Sequence, residues 1–302
     1  MEESRNAARV LLPGLSALNL DATLFGGQAF RWRREEGAAV GLVGDRPVRV
    51  RLASEGLEVD ALDGREDGLA QAAARYFDAG RDYGAAERRL LRDARLREAA
   101  PGAAGVRILR QPAFETLVSF VVSANNNIPR ISRAVESLAR MAGREVAATA
   151  GPFFAFPEPA ALAALSVEEL RRDANLGYRD RYVLETSRAV ASGDADLAAF
   201  DRLPTPELRE ALRRLPGVGP KVADCVALFA YGRLEVFPVD TWVRRAYLEV
   251  YHPTETLADR QIVALACDRF GPLAGLAQQY LFEAFRSSRR STQTSTDQSP
   301  DP

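Results

Sequence analysis

The chain is almost without lysine. Of its 40 basic residues only Lys221 is a lysine, and the rest are arginine. Cysteine is nearly as scarce: Cys225 and Cys267 are the two present, and they offer neither a paired metal spacing nor a disulfide framework. No metal site is expected from them, and a reducing compartment is, the cytoplasm or, in a eukaryotic cell, the nucleus. No apolar run approaches the ~18 residues of a membrane span, and the N-terminus lacks a basic-then-apolar leader, so no membrane partner is expected. A basic excess is also missing. The net charge is -1, and residues 105–190 hold eleven arginines against nine acids. A dedicated nucleic-acid binder usually carries more positive charge, so any such contact has to rest on local sites.

The bias against lysine is itself informative. Arginine replaces lysine wherever only positive charge is needed, but it stays protonated and cannot act as a neutral, nucleophilic amine. A single lysine can also survive by chance. Its position decides between the two.

What is present fits one large or two modest domains of an ordinary globular protein. The first ~100 residues read as mostly strand. Phe30–Trp32, Ala39–Val43 and Val48–Leu52 are short β-prone runs, and the last alternates strictly, as a half-buried strand does. Glu35-Glu36-Gly37, Gly44-Asp45-Arg46-Pro47 and Ser54-Glu55-Gly56 punctuate them as the turns of an antiparallel meander. Helix is predicted from about Asp67 to Ala99. Beyond Val106 the pattern stays helical: Phe114, Leu117, Val118, Val121 and Val122 form one stripe, Asn125-Asn126-Asn127 interrupts it, and Pro129 opens a new helix. Ser166 and Glu169 spell a capping box, and Thr205 is read as the cap of a helix with Pro206 in its first turn. The fold class is α+β. A β-rich domain spans 1–104, a helical region 105–288, and a Ser/Thr-rich tail, 289–302, is expected to be disordered.

The chemistry gathers after that helix. Leu215-Pro216-Gly217-Val218-Gly219 forms a tight turn and a second helix opens at Pro220-Lys221. The outward amides of Gly217, Val218 and Gly219, with the positive end of the second helix, suit an anion such as a DNA phosphate. Pro-Gly-Val-Gly alone serves equally as an ordinary helix–helix turn. Lys221 lies in the first helical turn, where a second positive charge is disfavoured, so its pKa is expected to fall. An amine of that kind can attack a sugar C1′ and form a Schiff base. A solvated surface lysine is the plain alternative. Cys225, at i+4, shares its helix face and either lines the same pocket or fills the core. Nineteen residues after Lys221 stands Asp240, at the start of a helix from Trp242 to Val250. It is expected to cap that helix, and the same fixed carboxylate could steady an oxocarbenium-like transition state.

Taken together, Leu215 to Cys225 and Pro238-Val239-Asp240 resemble the helix-hairpin-helix/Gly-Pro-Asp glycosylase superfamily, and most closely the 8-oxoguanine DNA glycosylases. The similarity runs from about Phe25 to Arg286. It implies two helical lobes around an active-site cleft. Lys221 then matches the family's nucleophile and Asp240 its catalytic aspartate. Gly27, in Gly26-Gly27-Gln28-Ala29-Phe30-Arg31-Trp32, matches the glycine whose carbonyl accepts the N7–H of 8-oxoguanine. Gln278 and Phe282 match the residues that bond the base edge and stack on its face, with the cysteine matching Cys225 on the other side. Asn125 and Arg130, with Arg179, match contacts to the widowed cytosine, and Tyr178 matches an aromatic wedge. Without the family, Phe282 reads as core and the three asparagines as a polar helix break.

The implied activity is excision of 8-oxoguanine opposite cytosine through a Lys Schiff base, followed by β-elimination. The implied partner is double-stranded DNA carrying 8-oxoguanine, bound by a monomer. No cofactor is expected, and the iron–sulfur cysteines of related branches are missing. The hairpin carbonyls leave room for a structural cation. One departure is Trp242, where the family often has histidine. Two rival readings remain: a monofunctional alkylbase glycosylase, which needs Asp240 but not Lys221, and a non-catalytic helix-hairpin-helix DNA-binding protein, which needs neither.

Overall fold

The structure is a computed structural model; it describes residues 8–296, with side chains through Arg286. After β1 (Arg9–Pro13) and the short helix α1 (Leu20–Phe25), the chain forms a meander of β2 (Arg33–Glu35), β3 (Ala38–Val43), β4 (Arg46–Ala53) and β5 (Gly56–Ala61). The sheet order is β1-β5-β4-β3-β2, antiparallel throughout. Two-residue turns at Glu36-Gly37, Gly44-Asp45 and Ser54-Glu55 join the meander strands. Val48 pairs with Ala61 and Val50 with Val59, and all four are buried. The alternation stops before Leu52, which is exposed. Phe30–Trp32 is not strand. Its three residues are all buried, in different directions: Phe30 meets the Phe120 ring edge-on at 5.6 Å, and Trp32 Nε1 donates to Tyr76 Oη at 2.9 Å. A strand that alternates faces cannot serve three such contacts.

The stretch predicted as one helix is three: α2 (Leu69–Tyr76), α3 (Tyr83–Leu90) and α4 (Ala94–Ala99). Asp82 and Asp93 accept from the amides of Ala85 and Leu96 at 2.8 and 2.9 Å, so each starts a new helix instead of continuing the last. The helical region follows as α5 (Ala113–Val122), α6 (Ile128–Ala142), a small hairpin of β6 (Glu145–Val146) and β7 (Phe153–Phe154), then α7 (Pro159–Ala163), α8 (Val167–Asp173), α9 (Asp180–Ala191), α10 (Leu197–Phe200), α11 (Thr205–Arg213), α12 (Pro220–Phe229), α13 (Thr241–Tyr251), α14 (Asp259–Phe270) and α15 (Ala274–Thr296). The Ser166–Glu169 capping box opens α8 as its sequence requires. Thr205 does not cap α11. Pro204 holds that place with an extended backbone, and the Thr205 hydroxyl bonds the Glu235 carboxylate. The final helix runs through Thr296, past the 289 at which disorder was expected, and residues 287–296 hold no glycine or proline to stop it. Residues 297–302 lie outside the described residues.

Two large hydrophobic cores result, with a smaller cluster of Val40, Leu42, Leu62 and Phe153 beside them. One lies between the sheet and α2 and gathers Leu24, Trp32, Val48, Leu57, Val59, Leu69 and Phe77. The other fills the helical region, and α3 and α4 contribute Tyr83, Leu90 and Leu96 to it although they precede residue 105. Tyr280 on α15 donates to Glu87 on α3 at 2.7 Å and ties the last helix to the N-terminal third of the chain. Gln28 connects the cores. Fully buried, it donates from Nε2 to the Arg107 carbonyl (2.8 Å) and accepts at Oε1 from the Leu109 amide (2.9 Å).

Replacing Gln28 by leucine keeps the volume and strands both buried backbone groups, at about 1–3 kcal/mol each. Urea denaturation of Gln28→Leu is therefore expected to show several kcal/mol of lost stability. A change under about 0.5 kcal/mol, typical of a surface site, would contradict this account of the junction.

Candidate active site

The turn between α11 and α12 is built around Gly217, whose φ of +74° suits glycine; a Cβ there would come within 2.7 Å of the Tyr182 side chain. Thr186 Oγ1 donates to the Pro216 carbonyl at 2.9 Å and pins the turn to α9. The Val218 amide differs from expectation. It turns inward to the Leu215 carbonyl at 3.1 Å, and the Val218 side chain is buried. Among the described residues the amides of Gly217 and Gly219 have no hydrogen-bond partner, so these two, with the start of α12, face outward.

Lys221 is the second residue of α12. Its Nζ donates to Ser123 Oγ at 2.9 Å, where α5 ends, and lies 5.1 Å from the centre of the Phe120 ring. Ser123 spends its own proton on the Phe120 carbonyl (2.7 Å), so towards the lysine it acts only as an acceptor. An acceptor takes an N–H and leaves the lone pair of a neutral amine unused. One turn along, the Cys225 thiol is buried and pushed up to about 12 by desolvation, an effect that neighbouring Lys221 opposes and Asp240 reinforces. It is a neutral, soft wall. Asp240 caps α13: its Oδ1 accepts from the amides of Trp242 (2.9 Å) and Val243 (2.8 Å), which fixes the carboxylate beside the lysine's cavity.

That cavity has a volume of about 270 Å³, and Gly27, Ser123, Lys221, Cys225, Asp240, Gln278 and Phe282 line it together. Gly27 has φ +79°, and a Cβ on it would lie 3.2 Å from both Phe282 Cζ and Ile128 Cδ1. Its carbonyl accepts no hydrogen bond among the described residues. Gln278 is 5% exposed, yet its Oε1 has no partner. Buried polar atoms are normally satisfied, so this one is set for something that enters.

Comparison with known proteins agrees in both halves of the chain. Residues 10–117 match the family model for the 8-oxoguanine DNA glycosylase N-terminal domain, and residues 118–270 that for HhH-GPD superfamily base excision DNA repair proteins. The chain belongs to the 8-oxoguanine DNA glycosylases of the HhH-GPD superfamily. A probable N-glycosylase/DNA lyase of Methanothermobacter thermautotrophicus is 34% identical over 217 residues, 66% of this chain and 69% of that protein. MBOgg1, solved with a low-affinity DNA ligand, is 38% identical at a TM-score of 0.89, covering 94% of this chain and 97% of its own. The Clostridium acetobutylicum 8-oxoguanine glycosylase/lyase, solved with double-stranded DNA containing cytosine opposite 8-oxoguanine, is 34% identical at 0.84, covering 90% and 93%. The α+β expectation holds, with an antiparallel sheet followed by the helical HhH-GPD region.

In this glycosylase the remaining predicted residues meet in a second groove of about 450 Å³, lined by Asn125, Arg130 and Arg179 and joined to the first through Asn126. Asn125 has φ +48°, and its Nδ2 lies 3.5 Å from Tyr178 Oη. Tyr178 is 55% exposed. Arg130 is exposed, and its side chain has no bonded partner among the described residues. Arg179 differs. Its guanidinium donates to the carbonyls of Ala124 (Nε, 2.7 Å), Asn125 (2.9 Å) and Leu176 (3.3 Å) and stacks 4.4 Å from the Tyr178 ring centre, so most of its donors already hold the loop. Sequence reasoning missed Ser123 and Phe120 on the cavity wall, where Trp242, noted in the sequence as a departure from the family's histidine, also lies. Only Ser123 gave a signal, as the polar residue that ends an apolar helical stripe. Among the described residues no cluster of three or more His, Cys, Asp or Glu could hold a metal, and no helix is long and apolar enough to cross a membrane.

The raised thiol pKa has two consequences. Cys225 in the folded protein is expected to resist iodoacetamide at pH 7.5 and to react after unfolding; labelling at the rate of a free thiol contradicts its burial. The stability carried by the neutral thiol is present below the ordinary value of 9.0 and lost as pH climbs towards about 12. Cys225→Ala should therefore flatten the fall of melting temperature above pH 9.

Proposed function

We propose that this glycosylase flips 8-oxoguanine out of duplex DNA, excises it opposite cytosine with Lys221 as nucleophile, and then cleaves the strand by β-elimination. The observation that carries the reading is the chain's only lysine, held at 2.9 Å by an acceptor-only hydroxyl on the wall of a base-sized cavity. A stacked nucleotide keeps its glycosidic bond out of reach, so extrusion, at a few kcal/mol, comes first. The base enters between Phe282 and Cys225. The Gly27 carbonyl accepts its N7–H and Gln278 meets its Watson–Crick edge. As the C1′–N9 bond breaks, Asp240 stabilises positive charge on the sugar and the electron pair leaves with the base. The Lys221 nitrogen, as a neutral amine, bonds C1′; one of its two protons then passes to O4′ as the C1′–O4′ bond breaks and the sugar ring opens, leaving an iminium that keeps the other proton. Loss of a C2′ proton then expels the 3′ phosphate.

Hairpin amides at Gly217 and Gly219 anchor the DNA backbone without reading sequence. On the partner strand, cytosine offers two acceptors on its Watson–Crick edge, whereas adenine faces an arginine with a donor. Arg130 is ready for that contact, and Arg179 joins it by releasing a loop carbonyl. Asn125 and Tyr178 fill the gap. The protein acts as a monomer without a redox or organic cofactor. A structural cation, if bound, falls to the Gly217 and Val218 carbonyls, since those of Leu215, Pro216 and Gly219 already accept hydrogen bonds.

Single-turnover excision on duplexes with 8-oxoguanine opposite each of the four bases, and with 3-methyladenine, tests the reading. Fastest release of 8-oxoguanine opposite cytosine is expected; equal release of 3-methyladenine would refute it. Asp240→Asn should slow excision by roughly ten- to a thousand-fold with little change in melting temperature, because asparagine also caps a helix. A lower melting temperature with intact excision would reduce Asp240 to a structural cap. Arg130→Ala should narrow the cytosine-over-adenine ratio; an unchanged ratio removes Arg130 from partner reading.

A further inference from the structure

We infer that Gln279 and Gln111 determine the selectivity for the oxidised base by clamping the two peptides on either side of Gly27; the inference rests on the reading of the Gly27 carbonyl as the acceptor for N7–H. Gly26 and Gly27 line the cavity, and fully buried Gln28 follows them, so three consecutive carbonyls run along and behind its wall. The Gly26 carbonyl accepts from Gln279 Nε2 at 2.8 Å, and the Gln28 carbonyl accepts from Gln111 Nε2 at 2.6 Å. Only the middle one accepts nothing among the described residues. The two clamps come from segments far apart in the chain, one from α15 and one from the segment leading into α5.

The clamp answers a specific weakness. Oxidised and normal guanine differ at N7 by one proton, so discrimination depends on a carbonyl oxygen facing that nitrogen: attractive to N–H, repulsive to a lone pair. A glycine at φ +79° is the residue least able to hold its own carbonyl in place, because it moves between backbone regions at little cost. If the peptide after Gly27 rotated, the cavity would offer its other face and the contrast at N7 would vanish. Fixing the peptides before and after removes that freedom. Gln279 is 2% exposed, and Gly26 is closely packed against it. A Cβ on Gly26 would lie 2.9 Å from Gln279 Nε2 and 2.2 Å from the Ala22 carbonyl. Gln28 is held further by its side chain, bonded to Arg107 and Leu109. Gln279 is thus a positioning residue, distinct from its neighbour Gln278, whose unpartnered Oε1 awaits the base itself.

The test uses two substrates of one sequence: a duplex with 8-oxoguanine opposite cytosine, and the same duplex with a pre-formed abasic site. Cleavage of the abasic site needs the lysine but no base recognition. For Gln279→Leu and Gln111→Leu, base excision is expected to fall about ten-fold or more, the effect of one lost hydrogen bond, while abasic-site cleavage stays within about two-fold of wild type. Excision of 8-oxoguanine relative to guanine should narrow as well. Base excision at the wild-type rate overturns the proposal, and so does a parallel loss of both activities, which marks a general structural role. Gln279→Glu gives a second variant should leucine prevent folding. Its carboxylate repels the Gly26 carbonyl, but its protonated form can donate, so its excision rate relative to wild type should recover as pH is lowered; a pH-independent deficit counts against the clamp. A wild-type enzyme that leaves 8-oxoguanine in place defeats the underlying reading itself, a result seen before any variant is made.

Discussion

The bond from Lys221 Nζ to Ser123 Oγ holds the site together, because it ties the end of α5 to the first turn of α12, two helices that also share one apolar core. α5 must finish at Ser123 and α12 must begin at Pro220, so both the asparagine loop after α5 and the glycine hairpin before α12 are set by it. Phe120 and Phe229 stack behind it, with centroids 5.4 Å apart and planes 14° from parallel, which fixes the spacing of the two helices. Several predicted site residues lie within a few positions of that bond, while Gly27, Asp240, Gln278 and Phe282 reach the same cavity from elsewhere in the chain. The hairpin precedes the lysine, Cys225 follows it by one turn, and the wedge loop follows the serine.

The same arrangement explains how a chain of net charge -1 can hold a polyanion. The charge that matters is placed, not summed. In the proposed reading, helix starts, outward amides and single arginines do the local work, while many remaining arginines sit in ion pairs, such as Arg209 with the buried Asp224 at 2.5 Å. Asp224 is held in tension: burial pushes its carboxyl up and the guanidinium draws it down, with burial the larger effect. Inside the cavity the walls are mostly apolar, with a neutral thiol, so a planar base meets few competing charges.

Much of this was legible in the chain. Lys221 stood out by rarity, and Asp240 by its place before a helix, where the cap is present as expected. The capping box at Ser166 and the proline at the start of α6 read correctly because each is a local rule with a local cause. Other features depended on contacts between distant segments, which no local pattern encodes. β1 pairs with β5 across some fifty residues, as in Arg9 opposite Asp60. The inward turn of the Val218 amide, the loop carbonyls that occupy Arg179, and the Gln279–Gly26 bond over 253 positions are of the same kind. A buried glutamine looks alike in sequence whether its oxygen is left without a partner, as in Gln278, or its amide grips a backbone, as in Gln279.

The central claim is covalent catalysis by one amine, and borohydride trapping addresses it most directly. The enzyme is incubated with an 8-oxoguanine duplex and borohydride, and the cross-linked protein is digested and mapped by mass spectrometry. The reduced adduct is expected on Lys221 alone, and Lys221→Gln is expected to form none while still binding the duplex. An adduct mapped to any other amine, or one of normal yield in Lys221→Gln, would contradict the account.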